Sequence, residues 1–321
     1  MARLVIDTDT ASDDAVALVM ALRHPDTVVE AITVGAGNVP LEQAVQNALY
    51  TVELCGADVP VHAGIAAPLL LPLQTAQHVH GRDGMGDLGL PLHGREPAEG
   101  HAVDVLVETI RAHAGEITLV CLGPLMNVAT ALLRDPGLAA CVERCVVMGG
   151  VSDGRGNITP LGEYNFWADP HAAQIVMRSG MPVELVGWDI SRKYGLLDDA
   201  ELAAVRATGE LGRFAIDVNR TVATFSRESS GLDGTDFPDP IAMAIALDPT
   251  VATDVRRLRV DVDTSPGVGR GQTVVDHAGL TGEPPNVDVT FAASHEQFVA
   301  SLMAAVQGDA APVRSKEEST A

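Results

Sequence analysis

The sequence predicts an α/β protein built on an open, mostly parallel sheet that is flanked by helices. Two observations carry this prediction. Short apolar runs, often β-branched and followed by Gly, Asp or Asn, alternate along the chain with longer runs of helical periodicity. Neither a linker nor an internal repeat divides this alternation. Alternation of this kind is typical of parallel strands joined by covering helices, so we expect a single Rossmann-like domain.

The elements follow in order along the chain. The predicted strands cover 4–6, 28–34, 117–122, 145–148, 183–186, 257–262, 273–276 and 286–291. The predicted helices cover 15–23, 41–54, 101–113, 125–133, 170–178, 199–207, 211–227 and 296–306. Segment 68–100 is rich in Gly, Pro and His, and we expect a functional loop there. The domain is expected over 1–307, and the polar tail 308–321 is expected to be disordered.

Composition excludes several classes of partner. The chain has 321 residues with a net charge of −22, which disfavours nucleic-acid polymers and anionic membranes but not a cation or a small neutral molecule.

The first apolar run is too short for a signal peptide, and no stretch is long enough to span a membrane. The four cysteines have mostly apolar neighbours and are expected to be reduced thiols. A cytoplasmic protein is therefore predicted.

Four carboxylates follow the first strand. In the opening MARLVIDTDTASDDA, Asp7, Asp9, Asp13 and Asp14 fall within eight residues, between a buried strand and a helix. Ligands of open parallel sheets bind at this edge. Helix capping accounts for Asp13 or Asp14 but not for four like charges. Clustered carboxylate oxygens suit a hard divalent cation, so a Ca²⁺ or Mg²⁺ site is predicted.

Two enzyme families place such a loop after their first strand. The haloacid dehalogenase-type phosphatases use D-x-D-x-T or V, and Asp7-Thr8-Asp9-Thr10 fits except for Ala11. Those enzymes also need a cationic side chain for the phosphoryl group. Lys193 and Lys316 are the only lysines, and neither follows a convincing motif.

The chain more closely resembles the calcium-dependent inosine-uridine-type nucleoside hydrolases. Their D-x-D-x-G-x-D-D-A signature corresponds to Asp7–Ala15, with Ala11 in place of Gly. Further segments follow the family's order along nearly the whole chain: V-G-A-G-N at 34–38, H-G-R-D-G-M at 80–85, G-P-L-M-N at 123–127, M-G-G at 148–150, G-N at 156–157, E-Y-N at 163–165, D-P at 169–170 and D-P at 239–240.

The resemblance implies a Ca²⁺ site and a catalytic base. The carboxylates of Asp9, Asp14 and Asp239 and the backbone carbonyl of Met126 would bind the ion. The ion would hold the ribose 2′- and 3′-hydroxyls and one water, and Asp9 would deprotonate that water. The implied reaction is hydrolysis of the N-glycosidic bond of a ribonucleoside to free base and ribose, through a transition state resembling an oxocarbenium ion.

The resemblance also implies a set of sugar-binding side chains. Amides and carboxylates suit hydroxyls, which both donate and accept, and the implied residues are Asp13, Asn38, Asn157, Glu163 and Asn165. Such a site should reject deoxyribose. The implied partners are a small ribonucleoside and further copies of the chain in a homodimer or homotetramer, because relatives form dimers or tetramers. Turn formation alone would also explain Asn157 and Asn165, which lie in a Gly-rich segment.

One departure from the family pattern affects the leaving base. Many relatives carry His directly before the late Asp, whereas this chain has Pro238, which cannot donate a proton. His80 is the best remaining catalytic acid, although it could instead only order its loop. Trp167 could stack on a base, although packing is the commoner role. A ribonucleoside-binding homologue without turnover therefore remains an alternative, and base preference stays open.

Overall fold

A nine-stranded sheet organises the molecule. A computed structural model describes residues 1–311. The strands of this sheet are β1 (Ala2–Thr8), β2 (Thr27–Val34), β3 (Val61–Ala63), β4 (Ile117–Cys121), β5 (Val142–Met148), β6 (Val183–Val186), β9 (Ala252–Val262), β10 (Thr273–Asp276) and β11 (Val287–Ala293). Strands β7 (Leu196–Leu197) and β8 (Thr235–Asp236) form a separate antiparallel pair.

The strand order confirms the predicted open, mostly parallel sheet. Across the sheet the order is β10-β9-β11-β6-β5-β4-β1-β2-β3. All neighbours from β3 to β11 run parallel, and β9 at the other edge pairs antiparallel with both β11 and β10. From β1 the chain builds outward to β3, then returns to β4 on the other side of β1. The carboxyl ends of β1 and β4 therefore flank the point where ligands bind in folds of this class.

Helices cover both faces of the sheet. They are α1 (Ser12–Arg23), α2 (Leu41–Leu54), α3 (Gln77–His80), α4 (Ala102–Ala112), α5 (Met126–Arg134), α6 (Tyr164–Ala168), α7 (Pro170–Met177), α8 (Trp188–Tyr194), α9 (Asp199–Arg206), α10 (Glu210–Asp217), α11 (Arg220–Phe225), α12 (Pro238–Leu247) and α13 (His295–Ala305). Short 3₁₀ turns cover Pro136–Cys141 and Pro249–Val251, and a π-helical turn covers Ser226–Ser230.

The core has two layers, one on each face of the sheet. In β1, Leu4 and Ile6 pack in the layer that contains α1, α2 and α12, whereas Val5 packs in the layer that contains α4, α5 and α7. This follows from the alternation of side chains along a strand. Helix α12 packs directly against α1, which brings the late Asp239 beside the first loop.

Several elements differ from the sequence predictions. The predicted helix over 211–227 is wrong as one element, since it is divided into α10, α11 and the π-helical turn. Helix α12 was not predicted. Its residues from Asp239 to Ala246 are all buried, so it carries no polar stripe to mark helical periodicity. Strand β3 has three residues, too few to show a pattern.

Two further sequence expectations concern irregular segments. Segment 68–100 contains α3 and otherwise lacks helix and strand, as expected. At the start of the expected tail, Gly308 bridges Gly209 and the Ala311 N–H donates to the Leu54 carbonyl at 2.9 Å. Residues 312–321 of that tail lie outside the described residues. Within residues 1–311, no helix combines the length and apolar character that crossing a bilayer requires.

Candidate active site

The predicted site residues gather at the carboxyl ends of the central strands. The loop after β1 carries Asp9, the first turn of α1 carries Asp13 and Asp14, and the loop after β2 carries Asn38. The turn after β4 leads into Met126, the first residue of α5. The first turn of α12 supplies Asp239. Parallel strands end at one edge of the sheet, so distant segments meet there.

Asp9 is enclosed by backbone. It is 0% exposed, and its Oδ2 accepts the Asn38 backbone N–H at 2.5 Å. A β-carbon on Gly37 would lie 2.0 Å from Oδ2, and one on Gly123 would lie 2.5 Å from Oδ1. Oδ1 accepts no hydrogen bond from residues 1–311. A buried carboxylate oxygen without a partner is costly in a folded protein, unless an ion or a ligand completes it.

Three more carboxylates converge beside Asp9. Oxygens of Asp13, Asp14 and Asp239 all lie within 4.8 Å of one another, and all three residues are buried. Asp14 is fixed by the Thr8 hydroxyl at 2.6 Å and by the Ala11 N–H at 3.0 Å. Asp13 Oδ1 is a second buried oxygen without a hydrogen-bond donor in the described part of the chain.

Burial and mutual repulsion raise the pKa of these groups. Burial raises the pKa of Asp13 to about 7 and that of Asp14 to about 6, and the charge on Asp13 adds to the shift of Asp14. Burial first, then Asp14, also raises the pKa of Asp9 and of Asp239 well above the usual range. Without a cation, the cluster therefore favours protons on its oxygens.

The donor set fits a hard divalent cation. It offers several carboxylates on a rigid frame, and two of their oxygens lack protein donors. Met126 is 0% exposed and lies just past the Gly123-Pro124 turn that packs on Asp9. Oxygen-only donor sets bind Ca²⁺ or Mg²⁺ rather than softer metals. An ion would satisfy the unpartnered oxygens and neutralise their charge.

Asp7, the first of the four carboxylates, is not part of the cluster. It accepts hydrogen bonds from the Thr33 hydroxyl at 2.6 Å and from Asn127 Nδ2 at 2.9 Å. Asn127 in turn accepts the Ile65 N–H at 2.9 Å. Asp7 therefore ties β1 to β2 and to α5, which positions the neighbouring turn. Burial raises its pKa to about 6 despite these two donors.

The predicted sugar-binding residues line one cleft, whose empty volume is about 770 Å³. Asn165 Nδ2 donates to the carbonyls of Leu122 and Met148, at the ends of β4 and β5. Glu163 caps α6 by accepting the N–H groups of Asn165 and Phe166, and it also accepts the Gly150 N–H. These bonds hold the two side chains in place at the cleft wall.

Asn157 is the most exposed of these predicted residues. Its Oδ1 accepts the Tyr164 N–H at 2.8 Å, so it braces the start of α6, and its side chain also lines the cleft. Asp13 and Asn38 line the same cleft, whereas Asp9 and Asp14 are not among its lining residues. The cleft therefore has a carboxylate-rich end. Other lining side chains are apolar or aromatic, and we refer to them as the apolar side: Val79, Ile158, Tyr164, Trp188, Val222 and Phe225.

His80 lies beside the carboxylate-rich end of the cleft. Its Nδ1 is 2.8 Å from Ser12 Oγ and 3.6 Å from an Asp13 oxygen. The residue is 8% exposed and lines the cleft. Burial lowers the pKa of its imidazole to about 4, so the ring is neutral near pH 7. A neutral ring offers one N–H to a ligand rather than a positive charge.

Several other expectations can be checked against the geometry. Trp167 packs as the commoner role predicts, because Arg270 lies over its ring at 4.1 Å. Asp169, in the D-P segment at 169–170, is the N-cap of α7, since it accepts the Ala172 N–H at 3.0 Å. Sequence reasoning missed Trp188 and Asp236, which both line the cleft. The available signal was the position of Asp236 three residues before the late Asp239.

Comparisons with known proteins agree with this architecture. The family model described as inosine-uridine preferring nucleoside hydrolase matches residues 4–300. The chain is 37% identical to the pyrimidine-specific ribonucleoside hydrolase RihA of Salmonella agona (strain SL483), over 95% of this chain and 98% of that protein. The RihA of Shewanella sp. (strain ANA-3) is 34% identical, over 94% of each chain.

Solved structures give the same result. The plant nucleoside hydrolase PpNRh1 superposes with a TM-score of 0.90 at 31% identity, over 96% of this chain and 99% of that one. A purine-preferring ribonucleoside hydrolase from Gardnerella vaginalis gives a TM-score of 0.87 at 30% identity, over 95% and 98%. These matches favour the nucleoside hydrolase interpretation of the first loop over the phosphatase one. The chain belongs to the inosine-uridine preferring nucleoside hydrolase family.

Proposed function

We propose that this enzyme hydrolyses the N-glycosidic bond of ribonucleosides to free base and ribose, with Ca²⁺ as its metal. One observation carries the proposal. Buried oxygens of Asp13, Asp14 and Asp239, from segments more than two hundred residues apart, meet within 4.8 Å beside a cleft that also presents a group of apolar and aromatic side chains. The first region suits a cation and a sugar diol, and the second suits a flat base.

The proposed metal ligands are the carboxylates of Asp9, Asp14 and Asp239 and the backbone carbonyl of Met126. When bound, Ca²⁺ would supply a positive centre that holds the ribose diol and makes a water molecule more acidic. Asp13 is close enough to serve as a ligand as well. We assign it to the sugar hydroxyls, as the family resemblance implies, and its side chain borders the cleft as that role requires.

Asp9 is the proposed general base. The Asn38 N–H holds one of its oxygens, and the other has no donor among residues 1–311, so it is available to accept a proton from the attacking water. As the bond to the base breaks, positive charge develops on the sugar ring. The carboxylates of the cluster stabilise that charge, and they are already in place before the reaction starts.

The remaining side chains orient the sugar and assist the base. Asp13, Asn38, Asn157, Glu163 and Asn165 are proposed to hydrogen-bond the ribose hydroxyls. His80 is the proposed donor to the departing base, because it lines the cleft and Pro238 has no N–H. Since its ring is neutral near pH 7, the contribution that we expect is a hydrogen bond that strengthens as the base gains electrons.

Release of reducing sugar from inosine, uridine, cytidine and adenosine tests the proposal. We expect turnover that needs Ca²⁺ and is abolished in Asp9→Ala. 2′-Deoxyuridine should react at least about a hundredfold more slowly than uridine, because a buried site built for a hydroxyl rejects the analogue that lacks it. Tight binding of ribonucleosides without sugar release would overturn the catalytic assignment and favour a binding protein. Phosphate release from sugar phosphates would favour the phosphatase alternative.

The assembly is a separate proposal. We propose a homodimer or homotetramer, as the family resemblance suggests. Light scattering coupled to size-exclusion chromatography measures the mass of the assembly. A monomer at micromolar concentration would contradict this proposal.

A further inference from the structure

Asp236 is a buried carboxylate in the cleft wall that the proposed chemistry does not use. It is 5% exposed and lines the cleft together with Trp188 and Ser226. Its backbone is fixed on both sides. Asp236 pairs with Leu196 across the β7–β8 ladder, and the next N–H, that of Phe237, donates to the Gly195 carbonyl at 3.0 Å.

Three donors also fix its side chain. Trp188 Nε1 donates to Oδ2 at 2.8 Å, and Ser191 Oγ approaches the same oxygen at 3.5 Å. Ser226 Oγ donates to Oδ1 at 3.2 Å. A carboxylate offers about four acceptor positions, so Oδ1 keeps capacity for a ligand in the cleft. Side chains locked in this way make precise recognition groups.

Asp236 is linked to both groups of side chains that line the cleft. Its charge acts on Asp13 and on His80, at the carboxylate-rich end. Its hydrogen-bond partner Ser226 directly follows the last residue of α11, the helix that supplies Val222 and Phe225 to the apolar side. If the ribose diol occupies the carboxylate-rich end, the attached base extends toward this side and passes Asp236.

We propose that Asp236 recognises the base by accepting a hydrogen bond from one of its N–H groups. This inference rests on the proposed function and adds a substrate class to it: ribonucleosides whose base presents a ring N–H to the carboxylate, as uracil does at N3 and hypoxanthine at N1. A carboxylate is only an acceptor. A base edge that presents a lone pair there would face another acceptor and form no hydrogen bond, so it is disfavoured.

The test compares matched substrates on matched variants. The substrates are uridine against 3-methyluridine and inosine against 1-methylinosine, because each methyl group replaces the proposed donor. The variants are Asp236→Asn, which keeps the shape, and Asp236→Ala, which opens space. Asp233→Asn removes the same charge three residues away at an exposed position outside the cleft, and it serves as the control. Inhibition by free ribose reports the sugar site separately.

We expect the wild-type protein and Asp233→Asn to prefer uridine over 3-methyluridine by at least about tenfold in kcat/KM. In both Asp236 variants, kcat/KM for uridine or inosine, whichever the enzyme hydrolyses faster, should fall at least about tenfold. Their preference for that substrate over its methylated form should be less than about threefold. Their Ki for ribose should stay within about twofold of wild type, since ribose has no base.

Other outcomes overturn the inference. Equal losses on the parent and methylated substrates, or a parallel rise in the Ki for ribose, would mean that Asp236 only supports the fold. If both variants fail to fold, the wild-type ratio of kcat/KM for the parent substrate to that for its methylated form decides. A ratio near one excludes recognition of an N–H. Failure of the proposed function is distinct, because the wild-type protein would then release no sugar from any ribonucleoside.

Discussion

Gly37 packs directly on the carboxylate of Asp9: a β-carbon at that position would lie 2.0 Å from Oδ2. Gly123 encloses the same side chain from another side, where a β-carbon would lie 2.5 Å from Oδ1. The carboxylate thus lies between two turns, and it fits there because glycine at both positions has no β-carbon. The position of the proposed base is set by backbone rather than by flexible side chains.

The first prediction follows from this packing. Gly37→Ala should lower kcat by at least about a hundredfold, because a displacement of about 1 Å at a reacting group has an effect of that size. Gly35→Ala is the matched control, since its β-carbon would meet nothing closer than 3.4 Å. Steady-state kinetics with saturating Ca²⁺ measure both variants. Similar kcat values for the two variants would contradict the role given to Asp9.

The second prediction separates Asp7 from Asp9. Asp7→Ala leaves the Thr33 hydroxyl and the Asn127 amide without their buried acceptor. It should therefore lower the free energy of unfolding by about 1–3 kcal/mol. Asp9→Asn should abolish turnover but leave the metal-free protein at least as stable, because it removes one of several repelling buried charges. Urea unfolding in EDTA measures both variants, and a large stability loss in Asp9→Asn would contradict this division.

The third prediction concerns pH and metal. The folded protein holds the pKa of Asp14 at about 6 and that of Asp13 at about 7, above the ordinary value of 3.8. Between about pH 4 and 7 the metal-free folded state therefore binds more protons than the unfolded state, so its stability falls as pH rises. Ca²⁺ replaces those protons. The rise in Tm on adding Ca²⁺ should be larger at pH 8 than at pH 5.

Scanning fluorimetry in EDTA or excess CaCl₂ at pH 5, 6.5 and 8 measures this effect. At about one hundred times the dissociation constant, the ion should add about 2.7 kcal/mol at the higher pH. An equal gain in Tm at pH 5 and pH 8 would exclude ionised carboxylates as the binding groups. Magnesium at the same concentration is the comparison for ion identity.

The fourth prediction concerns His80. Burial holds the pKa of the imidazole at about 4, so the ring stays neutral across the range in which the carboxylates ionise. His80→Ala should lower kcat by at least about tenfold, by a factor that stays roughly constant from pH 6 to pH 8. A contribution that disappears above about pH 6.5 would instead indicate an imidazolium with an ordinary pKa.

The sequence was sufficient for the fold class and for the gathering of the site. Strand-like and helix-like runs alternate clearly, and the carboxyl end of the first strand had to lie at the ligand-binding edge, so the carboxylates Asp7–Asp14 could be placed there. The roles of Asn38 and Met126 came from family resemblance. The proximity of Asp239 depended on family resemblance. Helix α12, which carries it, is buried on all sides and lacks the pattern that marks a surface helix.

Individual hydrogen bonds could not be predicted in the same way. Asp7 and Asp9 look equivalent in the sequence, and only the neighbours Thr33 and Asn127 distinguish a structural carboxylate from the buried carboxylate cluster. Asp236 was missed because its partners Trp188 and Ser226 lie far from it along the chain. Such contacts depend on side-chain packing, which a periodic pattern does not encode.

The packing of α1 against α12 has a consequence for biosynthesis. Asp13 and Asp14 leave the ribosome more than two hundred residues before Asp239. Until α12 has been translated, Asp13 and Asp14 lack the neighbouring Asp239, and α1 exposes apolar side chains that α12 later covers. Domains that depend on such distant contacts complete their folding late. A nascent chain of this enzyme should therefore acquire high affinity for a metal ion only after at least three-quarters of its length has been made.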